Sequence, residues 1–184
     1  MADTDPSRDE QTVSDQRALR TALGHFATGI AIVTATGRGG ALIGLTVNSF
    51  NSVSLDPPLV LFSVDRRAYS LDLLRGAAAY AVNILNDQQE AISTQFARPL
   101  VDKWRGVAYT MGDAGAPLID GAIAQFECRP HAVHDGGDHV IFVGEVAGFR
   151  YDAAARPLLY FRGKYTYLRP DVESEPTWPL TPEY

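Results

Sequence analysis

The sequence predicts a mainly β fold with peripheral helices, a closed or partly closed antiparallel barrel. Three observations predict it. Short β-branched or apolar runs recur between turn signals, and only two or three stretches carry helical spacing. In HVIFVGEV (139–146), Ile141 and Val143 face one way and Val140, Phe142 and Val146 the other, so the strand needs cover on both sides.

The elements follow in order. Met1 to Gln16 is polar, with five acidic residues and no apolar core segment, so the first 15 residues read as a frayed lead rather than a standard signal peptide. Ser14 or Asp15 caps a helix starting near Gln16. Leu19, Ala22, Leu23 and Phe26 mark its buried face, and Gly29 is its expected stop. IAIVTAT (30–36) is a strand and Arg38-Gly39-Gly40 a turn. LIGLTVNSFNSVSL (42–55) reads as one long extended segment, ended by Asp56-Pro57-Pro58.

LVLFSV (59–64) and AAYAVNIL (78–85) are strands. AYSLDLLRG (68–76) and DQQEAISTQFA (87–97) are helices, and 98–117 is loop-rich. AIAQFECRPHAVH (122–134) and HVIFVGEVAGFRY (139–151) form a hairpin, its two-residue turn centred on Gly136-Gly137. PLLYFRGKYTYL (157–168) supplies one or two last strands. One domain therefore spans 16–169. The remainder, 170–184, holds four prolines, four acidic residues and no basic one, and is expected to be an extended arm.

Composition bounds the function. The chain has 184 residues with 46% hydrophobic and 21% charged, an ordinary globular balance. The net charge of −6 argues against a nucleic-acid binder. No run approaches the about 20 apolar residues that span a bilayer. The lone Cys128 cannot form an internal disulfide and reads as a structural thiol, and a cytoplasmic location is the default.

Thr46 to Ser54 needs explaining. Six of its nine side chains are hydroxyls or amides (Thr46, Asn48, Ser49, Asn51, Ser52 and Ser54), flanked by apolar strands. Buried polar groups must be hydrogen-bonded. These groups therefore face water, pair with one another, or face a ligand rich in donors and acceptors. Arg66-Arg67 stand before Ser70 at the start of a short helix, where a hydroxyl and arginines can hold a phosphate; a solvated pair is the plainer reading. His139 follows a tight turn, as a structural hydrogen bonder or as a ligand-binding group. Lys103-Trp104 either covers a ligand or packs.

His131, His134 and His139 with Asp135 and Asp138 raise a metal site, with His134 expected opposite His139. His131 would point to the other face, which disfavours it. No G-x-S-x-G elbow favours a hydrolase, and no G-x-G-x-x-G opens a Rossmann unit.

The chain resembles the short-chain flavin reductases that serve as the reductase half of two-component flavin-dependent monooxygenases. The stretches carrying the resemblance are LRTALGHFATGIAIVTA (19–35), GLTVNSFNSVSLDPPLVLFSV (44–64), YSLDLL (69–74), YAVNIL (80–85), GDHVIFVGEV (137–146) and PLLYFRGKY (157–165). The resemblance implies a split β-barrel, a homodimer with flavin near the subunit interface, FMN or FAD as the flavin, NADH or NADPH as hydride donor, and a partner monooxygenase that receives reduced flavin. It implies that the strand from Thr46 and Val47 onward is a flavin platform, with Asn48, Ser49, Ser52, Val53 and Ser54 lining the ring and ribityl chain. Ser63, Arg66 and Ser70 then lie at the flavin phosphate, and His139 approaches the nicotinamide. Two rival readings share the fold: a flavin- or phosphate-binding module without turnover, and an oxidase of a small phosphorylated substrate.

Overall fold

The computed structural model describes residues 15–99 and 102–169. The expectations for the frayed lead (1–15), Asp15 apart, and for the arm (170–184) lie outside the described residues. Helix α1 (Gln16–Leu23) is followed by strands β1 (Thr28–Gly29), β2 (Ala31–Thr36), β3 (Leu42–Val47), β4 (Asn51–Leu55) and β5 (Pro58–Asp65). Next come α2 (Leu71–Arg75), β6 (Tyr80–Ile84), α3 (Glu90–Ala97), β7 (Tyr109–Met111) and β8 (Pro117–Ile119). The long strands β9 (Ala124–Gly136) and β10 (His139–Tyr151) precede β11 (Leu159–Phe161) and β12 (Lys164–Thr166). None of the described helices is long and apolar enough to cross a membrane.

The central sheet runs β3-β2-β6-β9-β10-β5-β4, antiparallel throughout. Its edge strands, β3 and β4, are consecutive in sequence and joined only by residues 48–50. A flat seven-stranded sheet would hold its edges about 29 Å apart, whereas that link reaches about 15 Å. The sheet must therefore curl until its edges approach, which makes a β-barrel split along one seam. This corrects the single extended segment expected over 42–55: it is two strands, one at each edge, with a corner between.

The barrel interior is filled by Val33, Leu45, Phe62, Val64, Tyr80, Val82, Val140 and Phe142, among others. Phe62 stacks on Phe142 at 5.2 Å and meets Tyr80 edge-on at 5.2 Å. Strand β2 is buried on both faces, because Ile32 faces a second cluster formed by Leu85, Phe96, Ile119 and Leu158 beneath α3 and the β11–β12 hairpin. That double cover explains why burial is unbroken from Ala31 to Ala35, Thr34 included.

Two local expectations are corrected. Asp15 does cap α1, accepting from the amides of Arg17 and Ala18 at 3.0 Å each. The helix nevertheless ends at Leu23 with Gly24 as its cap, and Gly29 lies in β1. Its apolar stripe is not buried: Leu19, Leu23 and Phe26 are 43%, 67% and 77% exposed. The stripe is amphipathic as read, but the described residues put no sheet beneath it. In the long hairpin, His139 pairs with Gly136 and His134 with Ile141. The turn is therefore Gly137-Asp138, with Gly137 at φ 76°, and the two imidazoles are not cross-strand partners.

Candidate functional site

Alternation on the curled sheet selects the outer face of β4, β5 and β10. On β5, Val60, Phe62 and Val64 are buried while Leu59, Leu61, Ser63 and Asp65 are half-buried. On β10, Val140 and Phe142 are buried while His139, Ile141 and Val143 are half-buried. His139 lies opposite Asp65 and Ile141 opposite Ser63, so these four share the outward face. Asn51 lies opposite Leu61 on the same face. From Leu61 to Asp65 is about 13 Å along the strand, and β4 to β10 is about 10 Å across. This surface suits an elongated ligand better than a single ion.

The polar run from Thr46 divides into two groups. Thr46 Oγ1 donates to the Ser93 carbonyl of α3 at 2.7 Å, and Val47 is buried in the barrel. Ser49 Oγ accepts the Ser63 amide at 2.9 Å and donates to the Ser63 carbonyl at 3.1 Å, stitching the corner to β5. These three side chains are used by the fold.

Asn48, Asn51, Ser52 and Ser54 form no side-chain hydrogen bond among the described residues, and the first three are exposed. Strand β4 is a sheet edge with a bulge at Val53, which is 48% exposed. Its outer row of amides and carbonyls is unpaired by any strand of the sheet. An unpaired polar edge beside half-buried Leu59, Leu61 and Ile141 offers what a planar group with one polar and one apolar border needs, so the residues fit a flavin.

At the other end of the face the charges are dense. Arg66 Nη2 pairs with Asp135, and Arg66 Nε donates to the Gly137 carbonyl at 2.6 Å. Arg67 is bidentate on Asp65, Nε to Oδ1 at 3.1 Å and Nη2 to Oδ2 at 2.8 Å. His139 Nδ1 lies 2.7 Å from Asp138. The Arg67 guanidinium holds the Asp65 carboxyl well below the usual carboxylate range, and hydrogen bonding to Arg66 and to His139 lowers the pKa of Asp135 and of Asp138. Ser70 precedes the five-residue α2 without making a capping hydrogen bond.

Lys103 and Trp104 pack against α3 and β3. Lys103 Nζ donates to the carbonyls of Phe96 (2.8 Å) and Gly44 (3.3 Å), and burial pushes its pKa down. Trp104 meets Phe96 and Tyr109 edge-on at 5.0 and 5.1 Å.

Sequence reasoning missed the carboxylates Asp65, Asp135 and Asp138 as partners of the arginines and of His139. Their acidic character was visible, but the register that sets them face to face was not.

A family model described as the flavin reductase like domain matches residues 23–169. A flavin reductase of Pseudomonas putida is 39% identical over 82% of this chain and 89% of its own length. The reductase subunit of a flavin-dependent monooxygenase from Rhodococcus jostii is 36% identical over 89% of this chain and 84% of its own. The chain spans about half (49%) of a longer Rhizobium meliloti relative, at 41% identity. Among solved structures, the NADH:FAD oxidoreductase of Streptomyces globisporus, in complex with NAD and FAD fragments, superposes with a TM-score of 0.85. It is 38% identical, and the match covers 90% of this chain and all of that one.

Proposed function

The chain belongs to the flavin reductase like family, and from that premise we propose that it is an NAD(P)H:flavin oxidoreductase that supplies reduced flavin to a separate monooxygenase. The bound flavin, FMN or FAD, accepts hydride from the nicotinamide. The protein contributes stacking, distance and polarity rather than a nucleophile.

One observation carries the reading. The corner before β4 and β4 itself present Asn48, Asn51, Ser52 and Ser54, none with a side-chain hydrogen bond among the described residues, at a sheet edge; Asn51 and Ser54 lie opposite Leu61 and Leu59, on the row that also leads to His139. Asn48, Ser52, Val53 and Ser54 would line the ring and ribityl chain. Thr46, Val47 and Ser49 would contribute through their backbone, because their side chains are used by the fold. Ser63, Arg66 and Ser70 would hold the phosphate end. His139, fixed by Asp138, would position the nicotinamide. The protein would act in the cytoplasm as a homodimer.

The test is steady-state oxidation of NADH and of NADPH with added FMN or FAD. Turnover with flavin alone as acceptor supports the proposal. Flavin binding without turnover would point to a binding module, and dependence on another substrate to an oxidase.

A further inference from the structure

Arg66 reaches the phosphate end already engaged. Its Nη2 lies on Asp135 and its Nε on the Gly137 carbonyl, while Nη1 donates no hydrogen bond among the described residues. Arg67, by contrast, has both Nε and Nη2 on the Asp65 carboxylate. Asp65, Asp135 and Asp138 stand against two guanidinium groups, so the carboxylates outnumber the arginines by one. A phosphate dianion arriving here finds no surplus positive charge. It gains Arg66 only by taking it from Asp135 or sharing it. The exchange is open to solvent, since the Arg66 and Asp135 side chains are 40% and 78% exposed.

We propose that Asp135 is an affinity-setting residue: it competes with the flavin phosphate for Arg66 and so keeps phosphorylated flavin releasable. The inference rests on the reading that places the phosphate at Arg66. It fits a protein whose product must leave for another enzyme, because a dedicated arginine would hold that product back.

The test is titration of FMN and of riboflavin, which lacks the phosphate, into the full chain at fixed ionic strength, followed by flavin fluorescence. Asp135→Asn removes the charge but keeps an oxygen for the Gly137 amide that Asp135 now accepts at 3.0 Å. Releasing an exposed ion-pair partner should tighten FMN about two- to fivefold and leave riboflavin unchanged. The gain should vanish in the double variant Asp135→Asn/Arg66→Ala. Unchanged FMN affinity, equal tightening of both flavins, or a gain that survives in the double variant overturns the proposal. Arg66→Ala alone separates the two failures. If it does not weaken FMN relative to riboflavin, the phosphate reading falls and this inference with it. If it does, while Asp135→Asn has no effect, only this inference falls.

Discussion

At the residue scale, the consequential side chains are those whose neighbours the sequence does not name. That a histidine follows a tight turn is legible in Gly136-Gly137-Asp138-His139. That it faces Asp65 across β5 is not, because the turn sits one residue later than the paired glycines suggest. His139→Ala should raise the KM for NADH about three- to tenfold, the worth of one lost hydrogen bond, and change flavin affinity little. Equal losses in kinetics and in flavin titration would remove the nicotinamide assignment. Cys128 is the opposite case, read from sequence as a structural thiol and fully buried beneath Gly144 and Tyr80. Burial, and secondarily the nearby Glu127 charge, push its pKa up to about 12. A raised pKa means that the fold favours the neutral thiol. That contribution is fully present below the unfolded value, about 8.5, and is lost as pH rises through about 12. A disulfide reagent at pH about 8 should therefore label the native protein no faster than it unfolds. Prompt labelling without unfolding would contradict the burial.

At the element scale, the run from Thr46 to Ser54 shows what composition can and cannot give. Its concentration of small polar groups is visible at once. Their division into fold-holding and unpaired groups depends on where the sheet curls, and the curl depends on pairings as distant in sequence as Leu59 with Glu145. Two serines three residues apart should therefore behave differently. Ser49→Ala removes both bonds to Ser63 and should cost about 1–3 kcal/mol of stability, read as a lower urea midpoint at unchanged slope. Ser52→Ala, on the exposed edge, should stay within about 0.5 kcal/mol and weaken flavin binding instead. The reverse pattern would mean that the corner is not held by Ser49. The other side of the seam is as tightly specified. A Cβ on Gly44 would stand 2.2 Å from the Phe96 ring of α3. Gly44→Ala should therefore push α3 outward and destabilise by about 1–3 kcal/mol, visible as a lower melting temperature.

At the scale of the whole molecule, the barrel was readable because strand periodicity and turn chemistry are local, whereas the surroundings of α1 are not. An apolar stripe announces that a helix face will be covered without saying by which chain. Here the described fold leaves Leu19, Leu23 and Phe26 on the outside, although Asp15 caps the helix and the Gly24 carbonyl accepts the Arg162 amide at 2.8 Å. The helix is thus anchored to the β11–β12 hairpin, and among the described residues nothing covers its apolar stripe. The proposed homodimer supplies a cover, and association then stabilises by mass action. The melting temperature should rise with protein concentration, and sedimentation velocity should show the dimer. Leu23→Glu is a clean probe, because a side chain that contributes little to this chain's own core can be charged without unfolding it. The variant should sediment as a folded monomer, with unchanged far-ultraviolet circular dichroism and a melting temperature that no longer depends on concentration. A variant that stays dimeric would place the subunit contact elsewhere on the barrel, with the half-buried outer row Leu61, Ile141 and Val143 as the next surface to charge.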